Sequence, residues 1–164
     1  MRQVLMALVL VAGCGAGSDQ GNNSAGTAVV DAGGSSGLTG LYEGGSPVRP
    51  SQMCVIDKGE GNASFGLVVW GTNMNSCSGS GNVVREGDTL RLTMTGDESC
   101  TLEAKISGGT VTLPQAVPQG CAYYCGAQAK LGGASFAKKG SSIEDAMKAK
   151  DLVGESLCGG LTPQ

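Results

Sequence analysis

Histidine is absent from the 164-residue chain. Its absence excludes Ser-His-Asp and Cys-His catalysis, as well as metal sites with histidine ligands. No two cysteines have the CxxC spacing of a zinc or redox motif either. A Ser–Lys dyad or a pair of carboxylates is still open, but no residue pattern indicates one. The sequence therefore predicts a protein that is not an enzyme and that holds no metal or other cofactor.

An excess of positive charge is also lacking. The chain has 11 basic and 14 acidic side chains, which gives a net charge of −3 at pH 7. A protein that binds nucleic acid, or that is held electrostatically on an anionic bilayer, needs the opposite balance. We therefore expect no nucleic-acid partner.

Large side chains are scarce. The chain has 1 Trp, 3 Tyr and 2 Phe against 29 glycines, so its core should need covalent cross-links. If Cys14 has a separate role, the remaining cysteines can form disulfides in an oxidising compartment. A reduced cytosolic protein with free thiols or a zinc site is the alternative. These remaining cysteines are Cys54, Cys77, Cys100, Cys121, Cys125 and Cys158.

Hydrophobic runs are short. The longest, residues 4–12, falls below the ~20 residues of a membrane-spanning helix but suits the apolar region of a signal peptide. The residues that end it, Val11-Ala12-Gly13-Cys14, resemble the lipobox of bacterial lipoproteins, in which an aliphatic residue and two small residues precede the modified cysteine. The resemblance implies removal of residues 1–13 and a lipid such as palmitate on Cys14, although the family usually has leucine where Val11 stands. An ordinary secretory signal or a hydrophobic first strand is the alternative.

The resemblance also predicts a location in the cell envelope. Several acyl chains hold a protein stably on a membrane. Gly15 stands where aspartate retains many lipoproteins in the inner membrane, so we expect the outer membrane rather than the inner, with the domain in the periplasm or at the cell surface. Residues 14–37 are rich in small and polar side chains and predict a flexible tether that spans roughly 25 Å. Residues 38–164 then form one cysteine-rich domain.

Alternating apolar and polar residues predict the fold of that domain. Segments 88–95 and 100–107 alternate strictly, and Gly108-Gly109 is a hairpin signal that sets Ile106 opposite Val111. Further strands are predicted at 52–57, 63–70 and 76–85, and a capping box at 141–144 opens a helix to about Asp151. The sequence thus predicts a mainly β fold: a small antiparallel meander sheet or barrel of about seven strands with a short C-terminal helix, stapled by disulfides.

Two short segments of this domain resemble known envelope proteins. Residues 40–44 and 87–92 are similar to the opening strand and a turn of small meander-barrel lipoproteins. The domain as a whole resembles the uncharacterised cysteine-rich lipoproteins of Gram-negative bacteria, and that resemblance implies no activity.

The predicted meander brings several cysteines to one end of the sheet. The pairing we expect is Cys54–Cys77, Cys100–Cys121 and Cys125–Cys158, which is one of about fifteen arrangements of six cysteines.

Three aromatic residues are candidates for a recognition surface. Trp70 alternates away from its apolar neighbours, so it is either exposed or covered by the C-terminal segment, and burial is the favoured interpretation. Tyr123 and Tyr124 are interpreted as a cap over the end of the barrel.

The acidic pairs at 97–98 and 144–145 are interpreted as a turn and a helix start, and residues 132–141 as a solvated loop.

Two functions fit these features. The first is a non-catalytic binding or structural protein of the envelope whose partner is an envelope component or an external protein, as in the lysozyme-inhibitor lipoproteins. The second is a lipocalin-like carrier with a small apolar ligand inside the barrel. A filled interior favours the first function, and a lined cavity favours the second.

Overall fold

The computed structural model describes residues 37–161, and Cys14, the lipobox and most of the predicted tether lie outside that range. Eight antiparallel strands follow one another around a closed barrel, in which β1 pairs with both β2 and β8. The prediction of a mainly β meander barrel with a short helix and disulfides is confirmed. The strands are β1 Gly40–Gly45, β2 Pro50–Gly59, β3 Asn62–Trp70, β4 Ser76–Glu86, β5 Thr89–Met94, β6 Thr101–Ser107, β7 Thr110–Thr112 and β8 Ser135–Gly140. A 3₁₀ helix, Gln119–Tyr124, lies between β7 and β8, and α1, Ile143–Ala146, follows β8.

The barrel has one strand more than predicted. Strand β8 occupies the segment that we interpreted as a solvated loop, and it closes the barrel by pairing with β1 and β7. Phe136 is its one fully buried side chain, while Lys139 is exposed. A six-residue strand with a single large apolar residue has too little alternation to be recognised from sequence.

The alternation of the predicted strands places their apolar side chains inside the barrel. Leu92 pairs with Leu102, and Ile106 pairs with Val111 in the predicted register. The side chains that fill the interior expose 2% of their surface or less: Leu38, Tyr42, Met53, Phe65, Leu67, Leu90, Leu92, Met94, Leu102, Leu113 and Phe136. Because a residue beside a ligand-sized cavity would keep accessible surface, these values describe a packed interior.

The two ends of the barrel are closed differently. At the base lie the turns at 60–61, 87–88 and 108–109, together with Gly37, through which the chain enters. There the Tyr42 hydroxyl donates a hydrogen bond to the Leu38 carbonyl over 2.6 Å, and burial raises the pKa of Tyr42 to about 12. Lys138 donates to the Gly37 carbonyl over 2.7 Å. Residues 37–38 are thereby fixed across the base.

At the capped end, residues 113–134 form a long connection that we call the capping loop. Leu113 and Leu131 of this loop are buried in the interior cluster. Two disulfides hold the loop to the barrel: Cys77–Cys125 links it to β4, and Cys100–Cys121 links it to the start of β6. The loop is therefore a fixed lid and not a free connection.

Two of the three predicted disulfide pairings are wrong. Cys54 pairs with Cys158 rather than with Cys77, and Cys125 pairs with Cys77. The reason is the alternation of side chains in strands: Met53 points into the barrel, so Cys54 points out, whereas Cys77 belongs to the interior cluster. Two sulfurs on opposite faces of a sheet cannot meet. The pairing of Cys100 with Cys121 agrees with the prediction.

A second, smaller core covers the outside of the barrel. Ala146, Ala149 and Cys158 pack there against Cys54 and Ile56 of β2. The C-terminal segment comes so close that a Cβ atom on Gly66 would lie 2.9 Å from Leu157. The outward-facing residues in the middle of β2 and β3 are thus buried, which explains why most of β3 has no solvent-exposed alternation.

The predicted helix is shorter than expected and starts one residue later. Ser142, not Ser141, is the N-cap, and its hydroxyl accepts a hydrogen bond from the Asp145 amide over 3.0 Å. After Ala146 the α-helical bonding changes: the Lys148 and Ala149 amides donate to carbonyls three residues earlier, and the Ala149 carbonyl accepts from the Leu157 amide over 2.9 Å. The pairing with the C-terminal segment replaces the turns that sequence periodicity predicted.

Substitution of the cap tests this assignment. We expect Ser142→Ala to lower the free energy of unfolding by about 1 kcal/mol, because the Asp145 amide loses its acceptor. The matched control is Ser141→Ala, which should change it by less than about 0.5 kcal/mol, since the Ser141 side chain takes no part in the cap. Urea denaturation of both variants measures the difference, and equal losses would contradict the placement of the cap.

Candidate binding groove at the capped end

Three adjoining hollows form a groove across the capped end. The middle hollow has a volume of about 890 Å³ and is lined by residues of the ranges 45–51, 69–72 and 127–135. The first hollow, of about 260 Å³, adjoins it on one side and shares Trp70 and Gly71 with it. The third hollow, of about 410 Å³, adjoins it on the other side and shares Ala129 and Lys130 with it. Because neighbouring hollows share lining residues, the three form one continuous groove.

Trp70 stands between the first and the middle hollow. Its side chain is half-buried, and its backbone amide donates to the hydroxyl of the buried Ser51 over 3.0 Å. The Arg49 guanidinium lies 4.9 Å from the centre of the indole ring, a cation–π contact that fixes the ring. The favoured expectation of burial is met only in part, since the Trp70 side chain is half-buried, and the C-terminal segment contacts the same face of the sheet at Cys54, Gly66 and Gln52.

The wall opposite β1 is held by polar contacts between two loops. The Gln128 side-chain carbonyl accepts hydrogen bonds from the Thr72 hydroxyl over 3.1 Å and from the side-chain amide of Asn73 over 2.6 Å. The Thr72 backbone amide donates to the Gln128 carbonyl over 3.2 Å. Gly71 permits this approach, since a Cβ atom there would overlap the backbone of the capping loop. This wall is preorganised, and it leaves the Gln128 amide nitrogen with no protein acceptor among the described residues.

Positive charge alone lines the groove. Lys130 borders the middle and third hollows and Arg49 borders the first, while no aspartate or glutamate lines any of the three. Neither cation belongs to one of the three ion pairs found within residues 37–161. In a chain with more acidic than basic side chains, this local balance favours an anionic ligand.

The two predicted tyrosines lie beside the groove and play different parts. The Tyr124 hydroxyl donates to the Thr95 carbonyl over 3.1 Å, and the ring packs where a Cβ atom on Gly79 would stand. Tyr123 meets Tyr124 edge to face at 5.3 Å between ring centres and is 85% exposed. Tyr124 therefore belongs to the cap of the barrel, and Tyr123 projects from it.

A strained turn borders the groove at residues 72–75. Asn73 and Met74 have positive φ angles of 51° and 64°, and the Asn75 amide donates to the Thr72 carbonyl over 3.0 Å. These are features of a type I′ turn, in which glycine is preferred where Met74 stands. Met74 is 68% exposed, so packing does not offset its strain.

Relief of this backbone strain is expected to stabilise the protein measurably. We expect Met74→Gly to raise the free energy of unfolding by about 0.5–1 kcal/mol, because glycine adopts a positive φ without the steric cost of a side chain. Glu98→Gly is the control: Glu98 lies in another exposed turn without a positive φ, and its replacement should destabilise by about the same amount. Denaturant unfolding distinguishes the two, and a destabilised Met74→Gly variant would contradict the turn assignment.

The predicted acidic pairs lie outside the groove. The Asp97 carboxylate accepts from the Ser99 amide over 2.9 Å in the β5–β6 turn, and hydrogen bonding by the Ser99 side chain, and then by this amide, lowers the pKa of Asp97. Hydrogen bonds lower the pKa of Asp145 to about 2; the bond from the Lys148 ammonium has the largest effect, and those from the Ser142 side chain and backbone add to it. Both carboxylates thus stabilise local backbone structure.

Among residues 37–161, no group of three potential ligand side chains could hold a metal ion.

No family model, curated protein or solved structure matches the chain. In the part of the chain that the structure describes, no helix is both long and apolar enough to cross a membrane.

Sequence analysis found one residue of the groove and missed the others. Trp70 stood out because aromatic residues are rare in this chain. Arg49, Gln128 and Lys130 lie on connections without periodicity, and only the closure of the barrel and the two disulfides of the capping loop bring them together.

Proposed function

We propose that the chain is a lipid-anchored protein of the bacterial cell envelope whose barrel binds another envelope component or an external molecule without catalysis. The binding surface is the groove at the capped end. The observation that carries this proposal is the contrast between the packed interior and the open groove beside Trp70. A ligand that this domain holds in its native state has room at the groove and none inside the barrel.

The cysteines support the location. All six cysteines of the described residues are paired, which fits an oxidising compartment, and the seventh, Cys14, stands in the lipobox-like motif. The described domain begins at Gly37 at the base, whereas the groove lies at the opposite end.

A lipocalin-like carrier is the less favoured function. A closed barrel is the architecture that such a carrier uses, but its ligand occupies the interior. Here Tyr42, Phe65 and Phe136 fill that interior together with leucines and methionines, and the capping loop covers one end.

Site-directed photo-crosslinking in intact bacteria tests the proposal without knowledge of the ligand. A photoreactive amino acid at Ala127, an exposed residue of the groove, should give a product of higher mass on irradiation. The same amino acid at Glu103, on the exposed outer face of β6, is the control and should give none. Absence of a product from Ala127, or equal products from both positions, would overturn the proposed binding surface.

A further inference from the structure

We infer that the groove binds an acidic glycan, an extended chain of sugar units that carry carboxylate groups. This inference rests on the proposed function and names the ligand class of the same surface.

The placement of the cations supports a ligand with repeated negative charge. Arg49 lies on one side of the middle hollow and Lys130 on the other, and no acidic side chain lines the groove between them. A single small anion would engage one of these cations. A chain with carboxylates at intervals engages both, and the absence of acidic neighbours leaves nothing in the groove to repel it.

The position of Trp70 supports sugar rings as the repeating unit. Trp70 borders both the first and the middle hollow, so a ligand that runs from one to the other crosses the indole. A pyranose ring presents an apolar face of C–H groups that stacks on an aromatic ring, while its hydroxyl groups point sideways. The Arg49 contact holds the indole in place before the ligand arrives, which reduces the entropy lost on binding.

The polar groups of the groove suit the hydroxyl groups of a sugar. Gln128 is fixed by Thr72 and Asn73, and its amide nitrogen is still able to donate. A few fixed polar groups around an apolar platform are typical of small-molecule and sugar sites.

A peptide fits this surface less well. Extended peptides commonly bind by adding a strand to the edge strand of an open sheet, and each of the eight strands described here already has a neighbouring strand on both sides. The other common mode requires pockets for side chains. The lining of the middle hollow consists largely of small residues such as Gly71, Ala129 and Gly132, so few side chains divide it into separate pockets.

The fluorescence of Trp70 tests the inference directly, since the chain contains one tryptophan. The purified, oxidised protein is titrated with a short oligomannuronate and with an oligogalacturonate as a second acidic sugar. The neutral control is an oligomannose of the same length and linkage as the oligomannuronate, and the peptide control is an oligoglutamate of similar charge. We expect a saturable change with at least one acidic sugar, at least about fivefold weaker binding of the neutral sugar, and weakening by salt.

Variants then locate the binding by calorimetry. We expect Trp70→Ala to weaken binding of the acidic sugar by about tenfold or more, and Arg49→Gln with Lys130→Gln to weaken it by at least about fivefold. The control is Lys58→Gln with Lys139→Gln, which makes the same change in net charge at exposed positions near the base and should leave the affinity unchanged. Thermal unfolding of each variant confirms that it is folded.

The other outcomes contradict the inference in distinguishable ways. Tighter binding of oligoglutamate than of either acidic sugar would identify an acidic peptide as the ligand and would leave the groove itself as the binding surface. Equal binding of neutral and acidic sugars would overturn the charge argument. If neither acidic sugar binds while Ala127 still crosslinks in cells, the glycan inference is wrong and the proposed function stands.

Discussion

Replacement of both Cys54 and Cys158 by alanine is expected to lower the free energy of unfolding by about 4–5 kcal/mol. This disulfide closes the longest loop of the three, with a sequence separation of 104 residues against 48 and 21 for the others. In the chain-entropy model, a longer closed loop restricts the unfolded chain more strongly. The loss should place the variant close to its unfolding midpoint at physiological temperature.

The control is the corresponding replacement of Cys100 and Cys121. Both pairs are buried, so each double variant loses a similar amount of packing. The smaller loop predicts a smaller loss, about 3 kcal/mol. Denaturant unfolding of the two variants measures the difference. A larger loss from Cys100 and Cys121 would contradict this account of how the staples stabilise the domain.

Truncation of Phe65 is expected to cost about 3–5 kcal/mol. Phe65 is fully buried, and its ring packs against Gly81 on the neighbouring strand, where a Cβ atom would lie 2.9 Å from the ring. In Phe65→Ala, a packed barrel cannot fill the vacated volume, so the loss includes the cost of a cavity as well as the lost apolar contact.

The control for this variant is Val84→Ala on β4. Val84 is 39% exposed, and its truncation should cost less than about 1 kcal/mol. Urea unfolding of both variants tests whether the interior is filled. A loss for Phe65→Ala no larger than that for Val84→Ala would mean that the barrel already contains empty space, and the carrier function would then be favoured.

Strands with one buried and one solvent-exposed face were predictable from the sequence. In β5 and β6 each apolar residue enters the interior and each polar residue faces water, so the register followed from alternation and the glycine hairpin. Strand β3 was predicted from its apolar content, but its outer face is covered by the C-terminal segment, which no local pattern indicates. Strand β8 was missed because closure of a barrel is a tertiary event.

The errors in the disulfides and the helix have specific causes. Successive residues of a strand point to opposite faces, so an inward Met53 places the Cys54 sulfur outside the barrel, which is a local signal against a bond with Cys77. For the helix, Ser141 and Ser142 both precede an acidic residue at the spacing of a capping box, and only tertiary contacts select Ser142.

The groove depends on the longest connection in the barrel. The capping loop has no periodicity, and two disulfides rather than hydrophobic alternation determine where Gln128 and Lys130 lie. Trp70 could be selected from sequence as a rare aromatic residue, but its neighbours could not.

The intact mass of the protein, extracted from the membranes of a bacterial host and kept unreduced, tests the central claim most directly. We propose an envelope protein that is anchored through Cys14 and stapled by the three disulfides of its barrel. The predicted mass is that of a protein without residues 1–13 and with acyl groups on Cys14. The denatured, unreduced protein should have no free thiol. A mass that corresponds to the whole unmodified chain, or a reactive thiol at Cys14, would contradict the claim.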